Sequence, residues 1–81
     1  MQEKLIDIII STSSEDAKKH LLENLFAQRD LSLKIYNEAD KLLQDRNFRK
    51  KAKIKGKTSL EFYYKVMYAL YLQNEFNYQI S

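Results

Sequence analysis

Apolar positions along the chain recur at helical spacing more often than they alternate. From Ser14 onward, Ala17, Leu21, Leu22, Leu25 and Phe26 recur at i, i+4 and i+5, which predicts one apolar helical face running to about Arg29. Either Thr12 with Glu15 or Ser13 with Asp16 supplies the start, a hydroxyl accepting from unpaired N–H groups. Arg29 to Ser32 reads as a turn or a bend. Beyond it Leu31, Ile35, Ala39, Leu42 and Leu43, joined by Tyr36, form a second apolar face. That helix is expected to persist to about Ile54, either as a separate element or continuous with the previous one through a bend.

Gly56 falls where the C-terminus of this helix is expected. Thr58 and Glu61 then form a capping box, and the last helix is predicted from Ser59 to about Tyr78. The first apolar group, Leu5 to Ile10, fits a strand or a helix by pattern. Its β-branched residues favour strand, but no other segment offers a partner strand, so helix is preferred. The fold class expected is all-α: a single domain over residues 1–81, a small three- or four-helix bundle whose short connections make neighbours antiparallel.

Composition supports helices. The chain has one glycine and no proline, which leaves few residues for hairpins and sharp loops. Apolar residues make up 44% of it, enough for a core and too many for a disordered tail. An 81-residue chain without cysteine has neither a disulfide staple nor a zinc–thiolate site. A core of this size is marginal, which makes self-association or a partner a natural supplement. Asp7 interrupts the first apolar group and no small-residue cleavage site follows, so neither a secretory signal nor a membrane span is expected. The expected setting is the cytoplasm.

Charge changes the picture more. The formal net charge is +3, yet seven of the 14 basic residues lie between Arg46 and Lys57, a stretch with no acidic residue. Seven basic and 11 acidic residues remain elsewhere, a net of −4. Arg46, Arg49, Lys50, Lys51, Lys53, Lys55 and Lys57, with Thr58, are therefore the candidate contacts for an anion or nucleic acid. The segment abuts the start of the last helix, where Lys55, Lys57, Thr58 and Ser59 have the makings of a phosphate contact. Basic residues also suit a helix C-terminus through its dipole alone.

The last helix carries five of the six tyrosines. From Phe62 to Leu72 only Lys65 is not apolar, the mark of a helix that is central or covered by a second contact. Phe62, Tyr63, Val66, Ala69, Leu70 and Ile80 share one broad face. Tyr64, Tyr68, Tyr71 and Tyr78 form a stripe on the other, interrupted by Glu75. The stripe is either the edge of the core or an interface, since tyrosine joins a large apolar area to a hydrogen-bonding tip.

Catalytic chemistry is not expected. His20 is the only histidine, placed away from the Leu21, Leu25 and Phe26 face, with no cysteine to activate and no second histidine to share a metal. Glu38 and Asp40 are two residues apart and diverge on a helix. Gly56-Lys57-Thr58-Ser59 lacks the upstream glycine of a P-loop, since position 51 is Lys51, and no strand precedes it. No cofactor, metal or small-molecule substrate is expected, and no motif ties the chain to a family.

The sequence thus favours a non-catalytic interaction module that self-associates or binds a protein partner through its last helix. The alternative is a nucleic-acid-binding regulator using residues 46–57. A third reading makes the chain one subunit of a larger assembly, unstable alone.

Overall fold

Leu5, Ile6 and Ile9 are buried while Asp7 and Ile10 are exposed, a helical rather than alternating pattern, and residues Gln2–Ser11 form α1. The computed structural model describes residues 2–56 and 59–80, with side chains for 4–56 and 59–75. The further elements are α2 (Ser14–His20), a π-helical segment (Leu21–Leu25), α3 (Arg29–Gln44), α4 (Arg46–Lys51) and α5 (Leu60–Ile80). The regular elements of the described residues are all helices, with no strand. Among them no helix is long and apolar enough to cross a membrane.

Ser13, not Thr12, caps α2: its hydroxyl accepts from the Asp16 N–H at 3.1 Å from an extended backbone (φ −73°, ψ 154°). Glu15 and Asp16 occupy the first turn, where the helix dipole favours negative charge.

The helix then widens. Phe26 N–H donates to the Leu21 carbonyl at 2.8 Å, an i to i+5 bond. Local side chains serve the carbonyls along this stretch. Asn24 Nδ2 donates to the His20 carbonyl (3.0 Å), Gln28 Nε2 to Asn24 (3.1 Å) and Ser32 Oγ to Leu25 (2.7 Å). The Ser32 bond also ties α3 back to the π segment.

Only part of the expected apolar face is buried. Ala17, Leu21 and Leu25 are fully buried, whereas Leu22 and Phe26 remain 57% and 40% exposed. The first three form a narrow stripe along the helix, and the other two lie to one side of it. A helix packed along one seam has no cover for that flank.

α3 buries Ile35, Ala39 and Leu43, with Leu31 and Leu42 packed partly against the core. It does not continue to Ile54. Asp45 is extended (φ −81°, ψ 116°), and its Oδ1 accepts from Asn47 N–H at 2.9 Å and Phe48 N–H at 3.4 Å. An aspartate competes with the helix for nearby backbone donors, so it favours a cap over a helix interior. Here it ends one helix and starts the next.

α5 lies at the centre and packs against α1, α2, the π segment and α3. Val66, Met67, Ala69, Leu70 and Tyr71 are buried on it, so its apolar character on nearly all sides reflects several neighbours inside the chain. Ser59 opens the helix, its carbonyl accepting from Phe62 N–H at 3.1 Å. The capping box expected at Thr58 lies outside the described residues.

One buttress on α5 has a titratable consequence. Tyr63 stacks on Tyr36 of α3 (centroids 5.5 Å apart) and donates its hydroxyl to Asp40 at 2.6 Å. The Asp40 hydrogen bond, then burial, then the Asp40 charge push the Tyr63 phenol up to about 12. A phenol raised on folding contributes stability that is complete below its ordinary value near 10 and is lost as pH climbs through the folded value. Thermal melts of the wild type and of Tyr63→Phe are expected to differ at neutral pH and to converge near pH 12. An unchanged gap across that window would exclude this contact as the cause.

Candidate anion-binding site

The basic segment folds into α4 and the turn behind it. Phe48, Ala52 and Ile54 are buried, so this piece is anchored to the core from three positions. The residues between them are exposed or half buried, and these are the cations.

The helix end sets their arrangement. Ile54 N–H donates to the Arg49 carbonyl at 2.9 Å and Lys53 N–H to the Lys50 carbonyl at 3.2 Å. These are the two bonds of a Schellman motif, which requires a left-handed residue at Lys53, and Lys53 has φ +59°. Ile54 and Phe48 are the apolar pair that accompanies such a cap. Gly56 was expected at this helix end. It lies three residues further on, in the following turn with φ +73°, and a Cβ there would meet nothing within 4 Å. Its role is conformational. Arg49 holds the turn by donating from its guanidinium to the Gly56 carbonyl.

The result is a surface depression of about 510 Å³ lined by Gln44, Arg46, Arg49, Lys50, Lys53, Ile54 and Lys55. Five cationic side chains face one concavity, and no acidic side chain is among the described lining residues. Asp45 sits beside it in sequence, but its carboxylate is turned to the backbone N–H groups of α4. Arg49 Nε is covered and has no hydrogen-bond partner.

Five of the seven basic residues singled out in the sequence thus converge. Lys51 is exposed and lies outside the lining, and Lys57 and Thr58 lie outside the described residues. Gln44 and Ile54 are lining residues that charge patterning does not signal. The helix break at Asp45 puts Gln44, the last residue of α3, beside α4 and among the lining residues.

A lysine is an expensive choice at a left-handed position. For an L-residue that conformation costs about 1–2 kcal/mol, and glycine occupies it freely. Lys53→Gly is therefore expected to stabilise the fold by about 0.5–1 kcal/mol, once glycine's greater unfolded-state freedom is set against the relief. The same change removes a cation from the depression and is expected to weaken anion binding. Thermal melts and salt-dependent binding measured on one preparation give both signs. A fall in melting temperature would contradict the strain argument.

The tyrosine stripe lies elsewhere and is mostly covered by the chain itself. Tyr71 is 4% exposed, and its hydroxyl donates to Glu75 at 2.8 Å. That bond, followed by burial, raises the Tyr71 phenol above its ordinary value. Tyr68 is half buried with His20 edge-on to its ring at 4.9 Å, and Tyr64 is half buried with Lys18 Nζ 5.7 Å from its ring centre. Tyr71 therefore presents no surface to a partner, and Tyr64 and Tyr68 present part of theirs. The Tyr78 side chain lies outside the described residues. His20, expected to point away from the core, is half buried between Tyr68 and Tyr71. The α2–α5 packing turns that flank of the helix inward.

Among the described residues, no group of three His, Cys, Asp or Glu side chains is placed to hold a metal ion. No family model, curated protein or solved structure matches this chain.

Proposed function

We propose that this protein is a non-catalytic nucleic-acid-binding module that contacts the phosphate backbone through the depression around α4. One observation carries the reading: five cations from Arg46 to Lys55 line a single concavity, with no carboxylate among the described lining residues. Lys and Arg contacts to phosphates release condensed counterions and supply most sequence-independent affinity. Two further features agree with it. The site stands on a body whose remaining charge is acidic, so attraction is local to one face. Lys53 stands where glycine would fold at lower cost, the kind of local strain found at functional positions.

The reading that the sequence favours, an interface through the last helix, loses support from the burial of Tyr71. Self-association retains one observation of its own, the exposed apolar side chains Leu22, Phe26 and Leu33. A sedimentation profile showing monomer alone at high micromolar concentration would remove it.

The nucleic-acid reading is tested by fluorescence anisotropy with labelled single- and double-stranded oligonucleotides across a salt series. Binding at low salt is expected, with affinity falling by a log–log slope of about −0.7 to −0.9 per neutralised phosphate. The double substitution Lys50→Glu with Lys53→Glu is expected to weaken binding by more than about tenfold while the far-UV spectrum stays helical. Absence of binding to both strands at low salt would sink the proposal.

A further inference from the structure

The shape and lining of the depression say more than its charge. Its described walls carry five cations, one amide (Gln44) and one aliphatic side chain (Ile54), and no aromatic ring. Base recognition on single strands relies on aromatic stacking platforms, which this lining lacks. Reading a duplex through its major groove requires an inserted helix or ribbon. α4 has only six residues, and its cations border a concavity instead of a protruding ridge. What remains is recognition of phosphate itself.

The cations are also distributed to surround a compact ligand. Arg46 comes from the first turn of α4, Arg49 and Lys50 from the second, and Lys53 and Lys55 from the segment that folds back past the Schellman turn. That return is held in place by the buried Phe48 and Ile54 and by the Arg49–Gly56 bond. A volume of about 510 Å³ lies within the size range of small-ligand sites. Five like charges on one concavity repel one another, and several linked phosphates would relieve that repulsion together where a single phosphate would not.

From this we infer that the depression is a polyphosphate site: it engages two or more linked phosphates at once, by charge and hydrogen bonding, with no contact to bases. The inference rests on the reading of the depression as the anion-contacting surface and specifies what that surface recognises. Nucleic acid bound there is held without sequence preference, and a short inorganic polyphosphate competes for the same residues.

Calorimetry and competition anisotropy with inorganic tripolyphosphate test this, at ionic strength held constant with sodium chloride. Tripolyphosphate is expected to bind the full chain and to displace labelled single strands of unrelated sequence equally well. Orthophosphate at the same concentration is expected neither to bind measurably nor to displace the strands. Lys50→Glu with Lys53→Glu should lower tripolyphosphate affinity at least tenfold. The charge-matched control Lys19→Glu with Lys34→Glu, on exposed positions of α2 and α3, should change it less than twofold. Circular-dichroism melts confirm that both variants fold. If strands bind but tripolyphosphate neither binds nor competes, the polyphosphate inference falls and the nucleic-acid reading stands. If tripolyphosphate binds and strands do not, the reverse holds. Equal losses in the two double variants would show a response to net charge and would overturn the inference.

Discussion

Phe48→Ala is expected to cost about 3–5 kcal/mol, the range for removing a fully buried aromatic ring. Phe48 is 1% exposed and among the largest fully buried side chains. It sits on a helix of only six residues, too short to hold itself. An ordinary domain carries about 0.05–0.15 kcal/mol of stability per residue, which for this length is about 4–12 kcal/mol in total. The substitution therefore removes a large share of the whole. At about 4–8 °C per kcal/mol the melting temperature should fall by more than about 12 °C. The functional consequence is equally direct. Phe48 pins the segment that carries Arg46, Arg49 and Lys50, so anion affinity should fall in any fraction that stays folded. A shift of less than about 1 kcal/mol would show that α4 is held by something other than this ring.

The second large effect separates two adjacent leucines. Leu21 is fully buried, whereas Leu22 is 57% exposed. Leu21→Ala is expected to cost about 2–5 kcal/mol, through lost transfer energy and the cavity left in the packing. Leu22→Ala is expected to stay within about 0.5 kcal/mol. Leu21 begins the π segment and its carbonyl closes the wide turn, so its side chain and backbone both belong to the seam with α5. Equal costs at the two positions, measured by urea denaturation at constant m-value, would mean that the seam does not lie along Ala17, Leu21 and Leu25.

Particular residues show how much the sequence discloses. A helix over the last segment follows from apolar spacing and from the scarcity of turn residues, whereas at Leu5 to Ile10 the pattern fits a strand as well, and only the lack of a partner strand favours helix. Asp45 was open to reading as an ordinary solvated residue on a long helix, because its neighbours keep the period. Its role as a cap depends on whether Phe48 finds a pocket, which is a tertiary question. Lys53 is harder still. No propensity rule places a lysine at a left-handed position, and the nearby Gly56 draws the expected helix end toward itself. The Schellman turn falls at Lys53 because burial of Ile54 in the core cluster that also holds Phe48 offsets the strain.

The candidate site divides in the same way. Its charge was plain in the linear sequence, where seven cations lie within twelve positions. Its concavity was not, because it arises where α3 ends at Gln44, α4 runs only from Arg46 to Lys51, and the chain folds back past Lys53. The tyrosine stripe shows the opposite case. A periodic row of Tyr64, Tyr68 and Tyr71 reads as core edge or as interface. Only the position of α2, which brings His20 against two of the rings, distinguishes them.

The sequence by itself determined that this chain is helical, that its last helix is apolar on nearly every side, and that its positive charge is concentrated between Arg46 and Lys57. These are local and compositional properties, set by side-chain period, by the lack of proline and near lack of glycine, and by the order of charges. Only the tertiary structure decided which flank of each helix is covered, where the third helix ends, and that five of the cations share one depression. Those outcomes depend on which surfaces meet. Burial of Phe48 and Ile54 outweighs a strained lysine backbone and fixes the cationic segment as a concave wall.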